Sequence, residues 1–501
     1  MDTLTRDTAK SYLWNQVAVT LDGVTLLAAG VLIGRILGAG ALGFYGWVMS
    51  TLGIVAVAAS LGFKEGVAVL AQRLLDDPEG LRGLFRRCLV LRASSALAAA
   101  LVMAAALLLA GSKGPLVIAA ICLYAAALLV SNLFSAFDVA LFKTRSVAAG
   151  KMLSSAVTLA FIVVGALKGS LAFAFLGFAL GAAAGGVVFF LPLGPAAYGP
   201  RRPYPVSSLL DLSLSLWLVG IFNYVIAVQG VPLTLRIARL SAADIGLFTG
   251  AIMIAVAANA AFMGGFANVT LAAFSLAGAR GGRALADIHS LYVRVAAMFG
   301  VPILLFAVVF APLLARIPVK GEAARIAPLV MILSASFLVS RLLGGGAHST
   351  ALYATGLHRA GLLIRAGFGG ASFAVTLACA LVFGIVGAAV AAGSAGVAVV
   401  AVEWAFLRSR NASLSMPWRP LVKLAAACGA IAASSAIVLS RGGVLAAAFA
   451  VAVFAVGSFC ALAVARPLAR GEASLIGATG LLAKVLVLFE ARADGRVITT
   501  L

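Results

Sequence analysis

The chain has 501 residues, 63% of them hydrophobic and only 11% charged. Soluble domains run at about 45–50% apolar and about 25% charged, so a soluble enzyme, a disordered chain and a coiled coil are excluded in favour of a polytopic membrane protein. The 37 Lys and Arg against 16 Asp and Glu leave a net charge of +21, which in so apolar a chain points to membrane topology and an acidic, lipid-borne partner rather than to nucleic acid.

Met1 to Tyr12 carries both charge signs and runs into an apolar stretch with no small-residue cleavage site. This predicts a retained first helix, not a signal peptide. Apolar runs of membrane-crossing length, about 20 residues, follow at 13–35, 43–63, 88–110, 115–137, 147–167, 171–193, 209–233, 245–266, 290–314, 327–349, 360–382, 386–407, 421–440 and 443–465. Barrel strands are half this length and alternate, so the reading is an all-α integral membrane protein with fourteen transmembrane helices.

On the first span Ser11, Asn15, Asp22 and Thr25 fall at helical spacing and form a polar stripe. Asp22 lies about 13 Å deep at 1.5 Å per residue. It reads as a cavity residue, binding a coupling cation or salt-bridging a cavity Lys or Arg, or as half of an internal structural pair. Gly30, Gly34 and Gly38 recur every four residues and predict close helix packing. Arg35 reads as a structural residue that fixes the outer hairpin through carbonyl contacts. Lys64, at the end of the second span, either draws an anionic group to a cavity mouth or snorkels. Asp77-Pro78-Glu79 opens a short amphipathic helix, with Asp as N-cap and Pro at N1. Arg92 lies within the third span, near its end, and is a cavity cation or a snorkelling one.

The seventh span offers Asn223 and Gln229, followed by Thr234, as hydrogen-bonding groups for a polar cargo or as interhelical hydrogen-bonding groups. The eighth offers Asn259. In the tenth, Arg341 sits beside Gly344-Gly345-Gly346. It contacts an anionic or polar cargo in a cavity, or pairs with Glu403 or another acid. The five cysteines show no Cys-x-x-Cys spacing and read as small buried hydrophobes. His289, His348 and His358 lie far apart in sequence and show no metal-ligand spacing. Gly150-Lys151-Met152 lacks the hydroxyl of a phosphate-binding loop. No catalytic residue, cofactor or metal is expected.

Twenty-six of the 37 cations fall on connections that share a side with the termini, nine on the other side and two, Arg92 and Arg341, within spans. The positive-inside rule then places both termini in the cytoplasm. Outer connections are short, the largest being near Ala315–Ile326. A shift of 203 residues lays Gly43 on Gly246 and Trp14 on Trp217, and a second echo sets Ala140–Arg145 over Ala354–Arg359. These echoes predict two parallel six-helix lobes, 1–200 and 201–415, with a final helix pair and tail at 416–501, a layout suited to alternating access.

Gly34-Arg35-Ile36-Leu37-Gly38 with Gly43-Phe44-Tyr45 resembles the first-hairpin element of bacterial polysaccharide (O-antigen type) flippases. Ile385–Ala391 is similar to the stretch opening their twelfth helix, and Leu235–Phe248 to the element opening their second lobe. Within that element Arg239 sits one place off, with Ala238 over Arg35. The family belongs to the multidrug/oligosaccharidyl-lipid/polysaccharide exporter superfamily. What the resemblance implies is a flippase of the bacterial cytoplasmic (inner) membrane that moves an undecaprenyl-pyrophosphate-linked glycan to the outer leaflet. Its partners would be that polyprenyl pyrophosphate, the surrounding lipids and a glycan polymerase or glycosyltransferases, with no nucleic acid.

The lipid-linked peptidoglycan precursor flippase is a sister family with several cavity arginines, for which this chain offers Asp22 and Asn259. A cation-coupled multidrug or metabolite exporter of the same superfamily, with Asp22 as its ion site, is the alternative. A membrane-embedded glycan enzyme would need a sizeable outer loop or a convergent His/Asp/Glu cluster, which the sequence does not display.

Overall fold

The computed structural model describes residues 2–63, 67, 70–71, 74, 76–111, 114–141, 143–193, 200, 202–260, 274, 277, 282–411 and 413–468, without the side chains of 2–13, 15–16, 206–213 and 215–216. Long helices account for nearly all of it, because a chain with no water around it must satisfy its backbone internally. They are α1 (Asp2–Leu32), α2 (Ala39–Ser60), α3 (Pro78–Leu109), α4 (Pro115–Ala140), α5 (Thr144–Leu167), α6 (Leu171–Phe190) and α7 (Val206–Ile226). After these come α8 (Ala242–Ala260), α9 (Gly282–Val309), α10 (Ala323–Leu342), α11 (His358–Arg410), α12 (Trp418–Ser440) and α13 (Val444–Ala465).

Among the described residues, twelve helices are long and apolar enough to cross a membrane, and thirteen if the bent pair Trp217–Ile226 and Val228–Ile237 is one span. α11 has 53 residues, about 80 Å at 1.5 Å per residue, against a hydrocarbon core of about 30 Å. Its backbone turns out of the helix at Gly384 (φ 63°, ψ −147°). Positive φ suits glycine, and the break makes two crossings there, fourteen in all. α12 and α13 pack on each other and on the flank of α9, and Val444, Leu445 and Phe449 face outward as lipid-facing residues do.

Three local expectations are corrected. The seventh span is not one helix over 209–233. It breaks at Ala227–Gly230 and turns by 71° into the short helix Val231–Ile237. Pro232, in the first turn of that helix, has no N–H to lose there. The tenth span does not run to 349. α10 ends at Leu342, and Gly344 and Gly346 take positive φ before a separate turn, Ala347–Ala354. The helix opened by Asp77 is not short. Asp77 caps the Gly80 N–H at 3.0 Å with Pro78 at N1, and the same helix continues through the third span to Leu109.

The largest core draws residues from α1, α2, α4, α6, α8, α10 and α11 and so joins the two halves of the sequence. Small residues let them meet. A Cβ at Gly43 would strike the Ala242 carbonyl, and one at Gly246 the Ala39 carbonyl. Gly30 and Gly34 pack as expected, under Met253 and against Pro318. Gly38 does not: nothing lies near it, and its φ of 89° marks a turn.

Candidate functional site

Two residues singled out separately in the sequence meet in the structure. Arg341, one residue before the end of α10, donates from Nε to Asn259 Oδ1 near the end of α8, at 3.1 Å. Its Nη1 donates to the Gly345 carbonyl, at 3.4 Å, in the break that follows. No carboxylate lies within ion-pairing distance of this guanidinium among the described residues.

Glu403, offered as a partner of Arg341, is taken instead. Arg365, on the first half of α11, donates from Nε to Glu403 Oε1 at 2.8 Å and from Nη2 to Ser349 Oγ at 2.5 Å. Ser349 in turn donates to Glu403 Oε2 at 2.9 Å. Glu403 is 1% exposed and Arg365 14%. A charge pair in such a place endures only when its remaining lone pairs and protons are met, and the Ser349 hydroxyl meets them. Beside it, under the bend of α7, lies a cavity of about 190 Å³ edged by Asn223, Ser336, Ser340, Arg365, Gly393 and Gly396. Asn223 Oδ1 accepts no hydrogen bond among the described residues.

His289 and His348, 59 positions apart, are not distant in space. Nε2 of His289 lies 3.0 Å from Nδ1 of His348, and Nε2 of His348 lies 2.6 Å from the Leu343 carbonyl. A carbonyl only accepts, so in the neutral pair His348 carries its proton on Nε2 and His289 donates from Nε2. His289 stacks on Trp404 and His348 lies tilted against the same ring. They pin the Gly344–Gly346 break from which Arg341 projects.

In the first half of the sequence, Asp22 on α1 binds Lys151 on α5 at 2.7 Å. The pair faces a cavity of about 240 Å³ lined also by Thr25, Ser131, Asn132, Ser154 and Ser155. Neither Lys151 nor Arg365 had stood out in the sequence. The offset that lays Arg145 on Arg359 also lays Lys151 on Arg365, each the eighth residue of its helix, and that was the signal that could have found them.

The other candidates fall elsewhere. Arg92 is 2% exposed, donates to the Ala59 carbonyl at 3.2 Å and lies over the Phe63 ring, between α2 and α3. Gln229 is exposed at the break of α7. Lys64 and the side chain of Asn15 lie outside the described residues. Arg35 makes the carbonyl contacts expected of it, to Ile317 at 2.7 Å and Arg316 at 2.8 Å. Those carbonyls belong to the connection between α9 and α10, so Arg35, just past the end of α1, clasps the two halves of the sequence together.

No family model matches the chain, and no curated protein matches it. Solved structures do. A multidrug resistance MATE family transporter of the MOP superfamily in an inward-facing conformation aligns over 81% of this chain and 98% of its own, with 16% identity and a TM-score of 0.61. A MOP superfamily transporter from Pyrococcus furiosus Vc1, described as having a binding pocket of reversed polarity that suggests a different function, aligns over 82% and 97%, with 16% identity and a TM-score of 0.62. A MATE protein in a bent conformation aligns over 85% and 98%, with 17% identity and a TM-score of 0.57. The chain thus has the multi-pass helical fold of the MOP superfamily transporters.

Proposed function

We propose that this protein is an alternating-access translocase that carries an undecaprenyl-pyrophosphate-linked oligosaccharide or polysaccharide unit from the inner to the outer leaflet of a bacterial cytoplasmic membrane. The observation that carries the reading is Arg341, a guanidinium held by an amide and a carbonyl and without a counter-ion among the described residues. Holding a partly buried guanidinium without an opposite charge is unfavourable, a cost that an anionic cargo offsets. Among the described residues Asp22 pairs with Lys151 and Glu403 with Arg365, and Asp138 accepts from Ser146. A pyrophosphate meets at Arg341 a guanidinium that can bind it through two parallel N–H groups. Ser and Asn groups around the α7 bend suit sugar hydroxyls.

In this reading the lobes 1–200 and 201–415 rock about their shared seam, both termini are cytoplasmic, and 416–501 supplies a flanking helix pair and tail. The transported group is moved unchanged, so the protein is no enzyme. The test is Arg341→Ala and Arg341→Lys in a host whose surface glycan depends on the protein, at matched expression. Arg341→Ala should lower surface glycan at least tenfold and Arg341→Lys should retain part of it. Wild-type glycan in Arg341→Ala would sink the reading.

The second reading is a cation-coupled exporter, favoured by the fold shared with a multidrug resistance transporter. It assigns ion coupling to Asp22 and predicts drug sensitivity with normal glycan when Asp22 is replaced.

A further inference from the structure

The cavity under the bend of α7 is walled by α7, α10 and both halves of α11. Its volume of about 190 Å³ lies below the roughly 300–1,000 Å³ of sites for drug-sized ligands. At about 30 Å³ per water it offers the space of about six waters. One sugar ring fits such a space and two do not.

Val228, Leu333 and Phe337 give the wall an apolar face, and Asn223, Ser336, Ser340 and Arg365 place polar groups on it. Few polar groups on an apolar wall are what a small-ligand site needs. The charge on Arg365 is already matched, because Nε and Nη2 hold Glu403 and Ser349. The pair brings no net charge to the cavity, and Nη1, without a partner among the described residues, remains a donor. Ser336 gives its own proton to the Ile332 carbonyl at 2.9 Å, so toward a ligand it only accepts. Asn223 Oδ1 is a second acceptor, buried and without a donor. Hydroxyl groups answer all three, since each both donates and accepts. An ionised phosphate or carboxylate has no proton for Ser336 or Asn223 and meets no unpaired charge at Arg365.

Two glycines shape the opposite wall. A Cβ at Gly393 would strike Ser336 Oγ, whereas one at Gly396 would meet no atom within 4 Å. α11 therefore closes on α10 at Gly393 and leaves room three residues on. Ser340, at the cavity's edge, and Arg341 are consecutive in α10, about 3.8 Å apart at Cα. A ring in the cavity and a phosphate at Arg341 are thus neighbours.

We propose that this cavity is a subsite for one neutral pyranose, the sugar bonded directly to the pyrophosphate that Arg341 receives. The inference rests on the reading of the cargo as a polyprenyl-pyrophosphate-linked glycan, and it names the part of the glycan that the protein selects. Sugars beyond the first find no room there.

The experiment measures calorimetric binding to the purified full-length chain of four short soluble pyrophosphate diesters. Each carries farnesol on one phosphate, and methanol, glucose, galactose or glucuronic acid on the other. The methyl, glucosyl and galactosyl compounds have equal charge, so their difference reads the ring alone. Wild type should bind the better of the two hexosyl compounds at least tenfold tighter than the methyl compound, and tighter than the glucuronosyl one. Gly396→Leu fills the cavity from a position where a Cβ meets nothing, and should bring the hexosyl-to-methyl ratio to within about twofold of one. Should Gly396→Leu not fold, Gly396→Ala narrows the cavity and should lower the ratio in part. Asn223→Ala should lower it at least threefold.

Equal affinity of wild type for the hexosyl and methyl compounds, a full preference retained in the Gly396 and Asn223 variants, or tightest binding of the glucuronosyl compound overturns the subsite. If Arg341→Ala still abolishes binding of the methyl compound in that case, the glycan-lipid reading stands without it. No binding of any of the four to wild type overturns both.

Discussion

Gly43 and Gly246 lie backbone to backbone, each against the carbonyl that opens the other's helix: Ala242 for Gly43, Ala39 for Gly246. The two contacts are images of each other under the 203-residue shift, as in a contact that straddles a two-fold axis. The same shift lays Gly46 on Thr249, and these two also touch. Forcing a methyl group into such packing costs about 1–3 kcal/mol. Gly43→Ala and Gly246→Ala should each lower the thermal midpoint in detergent, read by intrinsic fluorescence. Gly40→Ala, in the same helix with nothing near its would-be Cβ, should leave the midpoint unchanged or raise it. Equal behaviour of all three would show that the seam is not close-packed.

The Arg35 clasp closes this seam just past the end of α1. Its two charge-assisted bonds are exposed, so together they contribute about 1–2 kcal/mol, a factor of roughly 5–30 in a two-state population. In a background without the five native cysteines, Thr249→Cys places a thiol at a buried point of the seam. Adding Arg35→Ala should speed labelling of that thiol by a membrane-impermeant reagent several-fold, with Arg35→Lys intermediate. Unchanged labelling would mean that the clasp holds no gate.

The bend of α7 depends on a helix it does not belong to. Ser50 of α2 accepts from the Leu233 N–H at 3.3 Å, an N-terminal donor of the short helix after the break, and the Ser50 carbonyl accepts from Tyr224 Oη at 2.9 Å. Ser50→Ala leaves that N–H without its acceptor, at about 1–3 kcal/mol, and Tyr224→Phe removes one neutral hydrogen bond, at about 0.5–1.5 kcal/mol. Thermal unfolding should rank wild type above Tyr224→Phe above Ser50→Ala. A stable Ser50→Ala protein would mean that the bend is held by packing alone.

The boundaries of most spans were legible because lipid imposes a length and an apolar composition that the sequence displays directly. The break at Gly384 coincides with the gap left between two apolar runs. The break at Ala227 was not legible, since Val-Gln-Gly-Val-Pro is as apolar as a continuous span and the reason for bending lies 183 positions away, in Ser50. Arg341 and Asn259 were visible as isolated polar residues, and their meeting was not. Glu403 was offered to the wrong arginine because sequence records that an embedded acid needs a cation but not which helix supplies it. Lys151 sits among Gly150, Met152 and two serines, near a connection, and looks like an ordinary topology-setting charge. His289 and His348 were dismissed on spacing, which carries no information about helices that pack side by side.

Asn259 tests the charge on Arg341 without removing it. Asn259→Asp puts a carboxylate where the amide oxygen now accepts from Arg341 Nε, turning a guanidinium without a counter-ion into an ion pair of the Arg365–Glu403 kind. Folding should be maintained or improved, since the embedded charge gains its partner, whereas the anion loses its site. Surface glycan should fall at least tenfold while the thermal midpoint holds, a combination that misfolding does not produce.

Glu403→Gln does the opposite in the neighbouring pair. It leaves Arg365 without its carboxylate, a change that costs about 3–5 kcal/mol at a buried pair, and the amide offers one acceptor oxygen where Arg365 and Ser349 now use two. Expression and thermal midpoint should both drop sharply. Arg365→Met in the same chain removes the orphaned charge and should recover much of the loss, because two well-packed neutral groups are often as stable as a buried pair. The double-mutant cycle gives the coupling directly. If Arg365→Met fails to rescue Glu403→Gln, then Arg365 has a second role in the cavity under the α7 bend, and Asn223→Ala should reproduce the residual defect in surface glycan without altering stability.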